Sequence, residues 1–89
     1  MNATQRKLIA RLIPSIEQAL ALIEPMAEEL STMQQEEQEK FDNLSDGLRQ
    51  SERGQKIEEG ANQLQECADK VQEAVDGLNE VASILGSIE

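Results

Sequence analysis

Carboxylates recur through the last third of this chain at a helical repeat. Glu59, Glu66, Glu73 and Glu80 stand seven residues apart, and Asp69 and Asp76 follow Glu66 and Glu73 by three. On a helix this spacing makes one outward ridge of negative charge, suited to meeting a basic surface on another macromolecule rather than to breaking bonds. Outer positions of any helical bundle are ordinarily charged and solvated, so a plain hydrophilic face has the same pattern. The ridge is too sparse to copy DNA by itself: its members rise about 10.5 Å apiece, against about 3.4 Å between phosphates of one strand. Asp69 and Asp76 make it denser. Calcium is a poor fit, because acids so spaced lack the close oxygen cluster and turn glycine of a calcium loop.

A basic group precedes the ridge. Lys40, Arg49, Arg53 and Lys56 are half of the eight basic residues in the chain. Arg49, Arg53 and Lys56 around Gly54, at the start of a helix, form a candidate anion pocket. Copies of the chain meeting there would converge several arginines on one signalling nucleotide. Asp42, Asp46 and Glu52 lie in the same stretch, so local ion pairing competes with that use.

Catalytic chemistry is not expected. The chain has no His, hence no side chain whose ordinary pKa suits proton transfer near neutrality, no Ser-His or Cys-His pair, and no glycine-rich phosphate loop. Cys67, the lone cysteine, has no basic neighbour to activate it and falls beside Ala68 on an apolar stripe, which predicts a small buried residue. A single cysteine also rules out an intrachain disulfide and fits a reducing compartment. No cofactor or metal is expected.

The elements that carry these residues follow from a heptad rhythm. Writing Ala61, Ala68, Val75 and Ala82 at a, and Ile57, Leu64, Val71, Leu78 and Leu85 at d, gives an unbroken four-three spacing of apolar residues. The first half repeats it, with Ile13, Leu20 and Ala27 at a and Ile9, Ile16, Ile23 and Leu30 at d. Position g widens both stripes: Leu12, Ala19, Met26 and Met33 in the first half, Cys67, Ala74, Val81 and Ile88 in the second. Each helix therefore presents a three-position face, broader than a two-stranded seam requires. The predicted fold is all-α, an antiparallel helical hairpin in one domain that self-associates, most simply as a dimeric four-helix bundle.

The boundaries are a first helix over about 3–41, a connection over 42–53 and a second helix over about 54–87. Residues 42–54 lose the heptad and gain Asp42, Asn43, Ser45, Asp46, Gly47, Ser51 and Gly54. Leu44 and Leu48 can form one helical turn there, and Ser51 is the expected N-cap of the second helix. Pro14 and Pro25 interrupt the first half. Either Pro14 opens the main helix, or both prolines lie on nearly one face of a continuous, curved helix, since eleven residues is close to three turns.

Charge and composition narrow the partners. The 89-residue chain carries a net charge of -10, unevenly spread. Residues 1–16 hold Arg6, Lys7 and Arg11 without an acid, while residues 57–89 hold eight acids against Lys70 alone. A hairpin sets the basic start beside the acidic end. The acidic balance argues against binding DNA or an anionic membrane, and Phe41 as the only aromatic excludes a stacking platform for nucleic acid bases. No apolar run is long enough for a membrane span and no cleavage pattern follows the first one, so a cytoplasmic protein is expected.

One stretch carries a likeness. Glu36-Glu37-Gln38-Glu39-Lys40-Phe41-Asp42-Asn43-Leu44-Ser45, then Ser51-Glu52-Arg53-Gly54, then Glu-rich heptads, resembles a group of small acidic helical proteins found in phages and prophages. The resemblance spans residues 34–85 and implies a phage or mobile-element origin in a host cell's cytoplasm. Short phage proteins often bind and disable host proteins, including those of defence systems. The expected function is thus non-enzymatic inhibition of a host protein through an acidic partner-binding face of Glu59, Glu66, Asp69, Glu73, Asp76 and Glu80. A nucleotide sponge at Arg49 and Arg53 and a purely structural oligomer are the alternatives. The seam of Ile16, Leu20, Ile23, Leu30, Ile57, Leu64, Val71, Val75, Leu78 and Leu85 holds the bundle together in each case.

Overall fold

In a computed structural model, which describes residues 1–88, the chain is helical throughout apart from short turns: α1 (Ala3–Asp42), α2 (Asp46–Arg49) and α3 (Glu52–Ser87). At about 1.5 Å per residue, α1 alone is about 60 Å long. The whole molecule measures 67 × 16 × 15 Å, so α1 and α3 must lie side by side, and the short connection between them makes the pair antiparallel.

Asn2 starts α1 with a capping box. Its side chain accepts from the Gln5 amide at 2.8 Å, and the Gln5 side chain accepts from the Asn2 amide at 3.2 Å, satisfying two of the donors a helix start leaves free. Both prolines sit inside this helix, which runs through them without a break. Each removes one hydrogen bond to the carbonyl four residues earlier, on Ala10 and on Ala21. Both alanines are exposed, as are the prolines, so water can serve the freed carbonyls.

The core is thin and its side chains are small. Ala61 is wholly buried, Ala68 and Val75 are 5% exposed and Leu20 is 8% exposed; these are the buried hydrophobic residues among those described. Ala61, Ala68 and Val75 follow at seven-residue intervals on α3, on the face turned toward α1. The remaining apolar seam residues, Ile16, Ile23 and Leu30 on α1 and Ile57, Leu64, Val71, Leu78 and Leu85 on α3, are half-buried. Two helices cannot enclose a layer on all sides, which is why the larger residues stay partly wet.

The wider stripe is not buried. Leu12, Met26 and Met33 on α1, Cys67, Ala74 and Val81 on α3, and Ile88 just after α3 are exposed. Cys67 therefore corrects the sequence expectation of a buried residue: its neighbour Ala68 takes the inward position, about 100° further round the helix. Among the described residues, no helix is long and apolar enough to cross a membrane.

Candidate functional site: the charged surfaces of α3 and the turn

The six acids of the ridge are all exposed. Asp69 and Asp76 are steadied by the residue one turn before, accepting hydrogen bonds from the Gln65 and Gln72 amides at 2.9 and 3.0 Å. Glu59, Glu66, Glu73 and Glu80 make no ion pair among the described residues. The ion pairs found there join Lys40 to Glu37 at 2.7 Å, Arg49 to Asp46 at 3.5 Å and Lys56 to Glu52 at 3.6 Å. The ridge is thus a row of separated charges along one helix, open to a partner and uncompensated from within. No group of three metal-ligating side chains occurs among the described residues.

The turn gives the members of the basic group different partners. Arg49 folds back on the end of α1: its Nε donates to the Phe41 carbonyl at 3.3 Å, Nη2 donates to the Asp42 carbonyl, and the guanidinium lies 5.9 Å from the centre of the Phe41 ring. A cation against the negative end of a helix dipole, satisfying carbonyls that have lost their intrahelical donors, is a structural clamp. Arg49 is engaged with the end of α1, and Lys56 pairs with Glu52 one turn away on the exposed face of α3. Arg53 instead borders an open cleft of about 460 Å³ with Lys40, Leu44, Leu48 and Ile57. The Lys40 pKa is raised, first by its hydrogen bond with Glu37 and then by the charge of that carboxylate.

The turn is built around two features. Ser45 caps α2 and Ser51 caps α3, each side chain accepting from the amide three residues on, at 3.4 Å from Leu48 and 3.1 Å from Gly54. Gly54 is buried where α3 passes under α2: a Cβ there would stand 2.2 Å from the Leu48 carbonyl oxygen and 2.8 Å from that of Arg49. Phe41 and Arg49 were separate features of the sequence, and their pairing needs the turn to be folded before it is visible. Comparison with family models, with curated proteins and with solved structures returns no match.

The two lateral sides of the hairpin differ in character. One cleft between the helices is lined by Glu24, Glu28, Ser31, Thr32 and Gln72 above Ala27 and Val75. On the other side, Met33, Leu64, Cys67 and Gly60 line a cleft with Glu36, Glu37 and Gln63 at its rim. The hairpin therefore has a polar flank, a flank with exposed Leu12, Met26, Met33 and Val81, and the acidic ridge on the outer edge of α3.

Proposed function

We propose that this chain is a non-enzymatic binding protein that self-associates through its apolar flank and occupies a basic surface on a host protein through α3. The observation that carries the reading is the row Glu59, Glu66, Glu73 and Glu80, exposed and without a cation partner among the described residues. Six carboxylates on one rigid edge draw a basic partner at long range and fix its register, while the exposed apolar flank supplies the area that charge alone does not. With the likeness to phage and prophage proteins, the reading is inhibition of that host protein by obstruction. Arg49's engagement with α1 favours this over a nucleotide sponge.

The test is capture of host proteins by immobilised wild type and by the Glu66→Lys/Glu73→Lys variant, at low and at high salt. Both sites are exposed, so far-UV circular dichroism should be unchanged by the substitutions. Capture that disappears in the variant and weakens with salt fits the proposal; capture of the same protein by both sinks the assignment of the ridge.

A further inference from the structure

The apolar flank holds more order than a scatter of exposed residues. A compact monomer of this mass would expose about 5200 Å². This one exposes 6623 Å², a surplus of about 1400 Å², where a standard interface takes about 800 Å² from each partner. Burying a flank of a hairpin 67 Å long and 16 Å wide would remove surface on that scale.

The clefts show roughly which stretches of the two antiparallel helices lie across from each other. Glu24 and Val75 line one cleft and Met33 and Cys67 another, so each pair shares a height to within about two turns. Moving two residues from the first pair brings Leu22 to about the height of Gly77, and moving three to four from the second brings Glu29 to about that of Lys70. All four are exposed and border the apolar flank at its outer edges. Leu22 is the most exposed large hydrophobic residue, at 75%, and Gly77 has open space where a Cβ would lie. Each pair joins opposites: large with small, acid with base.

We propose that this flank stacks on the same flank of a second copy with both hairpins pointing the same way, so that each α1 lies over the partner's α3. Leu22 then fills the gap above the partner's Gly77, and Glu29 meets the partner's Lys70, twice over by the two-fold symmetry. Every helix has antiparallel neighbours, and Met26 covers the partner's Ala74. Stacking head to tail instead would press the uncharged half of the flank, around Leu12 and Val81, onto the half that carries Glu29, Glu36 and Lys70. Sliding the copies to avoid that would halve the contact. The inference rests on the self-association in the functional reading above and specifies its geometry.

The full chain decides it in two measurements. Sedimentation equilibrium should give a dimer whose dissociation constant rises about tenfold in Glu29→Lys and in Lys70→Glu and returns to near wild type in the double variant. Gly77→Leu, which meets nothing within its own chain, should weaken association by at least tenfold while the helix content holds. Energy transfer between dyes at the turn, on Gly47→Cys in a Cys67→Ala background, should report tips within about 30 Å, because stacked helices are about 10 Å apart. A dimer with tips near the 67 Å length of the molecule overturns the direction of stacking but leaves self-association standing. A protein that stays monomeric, or a stoichiometry other than two, overturns the dimer, and a double variant as weak as the single ones removes the Glu29 contact on which it was built.

Discussion

Replacing Gly54 by Ala should destabilise the hairpin, although the same change in an open helix stabilises it. Gly54 lies in the first turn of α3 and is buried; the added methyl would stand 2.2 Å from the Leu48 oxygen and 2.8 Å from the Arg49 oxygen. Both obstacles are backbone, so no side chain can swing away. The turn must retreat by about 1 Å, and what it holds goes with it: the Ser51 backbone amide and hydroxyl donate to the Leu48 carbonyl, and the Gln55 side-chain amide donates to the Arg49 carbonyl at 2.9 Å. Loss of two such bonds at about 1 kcal/mol each, with about 1–2 kcal/mol of overpacking, outweighs the roughly 1 kcal/mol that alanine gains over glycine in a helix. The net is a loss of about 2–3 kcal/mol, or on the order of 10–20 °C in Tm for a domain of this size. Gly47→Ala is the control in the same turn, since nothing lies within 4 Å of its missing Cβ, and it should melt at or slightly above wild type. The chain has no Trp or Tyr, so thermal unfolding is followed by circular dichroism at fixed protein concentration. A Gly54→Ala protein as stable as Gly47→Ala would refute the close passage of α3 beneath α2.

Arg49→Ala should lower stability by about 1.5–3 kcal/mol in urea unfolding, since a charged donor leaves the Phe41 and Asp42 carbonyls, whereas Arg53→Ala should change it by less than about 0.5 kcal/mol. Val75→Ala removes two methyl groups from a buried position of the seam and should cost about 2 kcal/mol by the same measurement. Pro25→Ala restores a hydrogen bond to the Ala21 carbonyl within α1 and should raise the melting temperature, with a gain of up to about 3 kcal/mol; a lower melting temperature would refute the cost assigned to the proline.

The heptad made the two long helices and their inward residues legible in the sequence, because period and burial are the same fact for a helix that packs on one side. Leu20, Ala61, Ala68 and Val75, the buried hydrophobic residues, all stood at a. Ser51 was legible as a cap because an N-cap is a local bond. The turn was less so. Leu48 enters α2 but Leu44 stays outside it, and Arg49's clamp on α1 joins residues eight apart through a bend no periodicity encodes. Cys67 was misplaced for a different reason. A three-position apolar stripe signals burial in an assembly as well as in a chain, and the single hairpin covers only the a and d positions. The acidic ridge was fully legible as a pattern, while its meaning belongs to whatever meets it.

The flank and the ridge do not compete. Position g turns a quarter of the way round each helix from the seam, whereas position f faces directly away from it, so a second hairpin stacked on the apolar flank leaves Glu59, Glu66, Glu73 and Glu80 of both copies uncovered. In the parallel stack the two α3 helices lie at opposite corners, which puts the two ridges on opposite edges of the bundle. One dimer then offers two separated acidic edges, each able to hold its own basic partner, and a partner that is itself paired or repeated would be held with an avidity neither edge has alone. The single layer between α1 and α3, in which Leu20, Ala61, Ala68 and Val75 are buried, suits that arrangement. It leaves Leu12, Leu22, Met26 and Met33 outside, where a second copy rather than the chain's own fold can bury them.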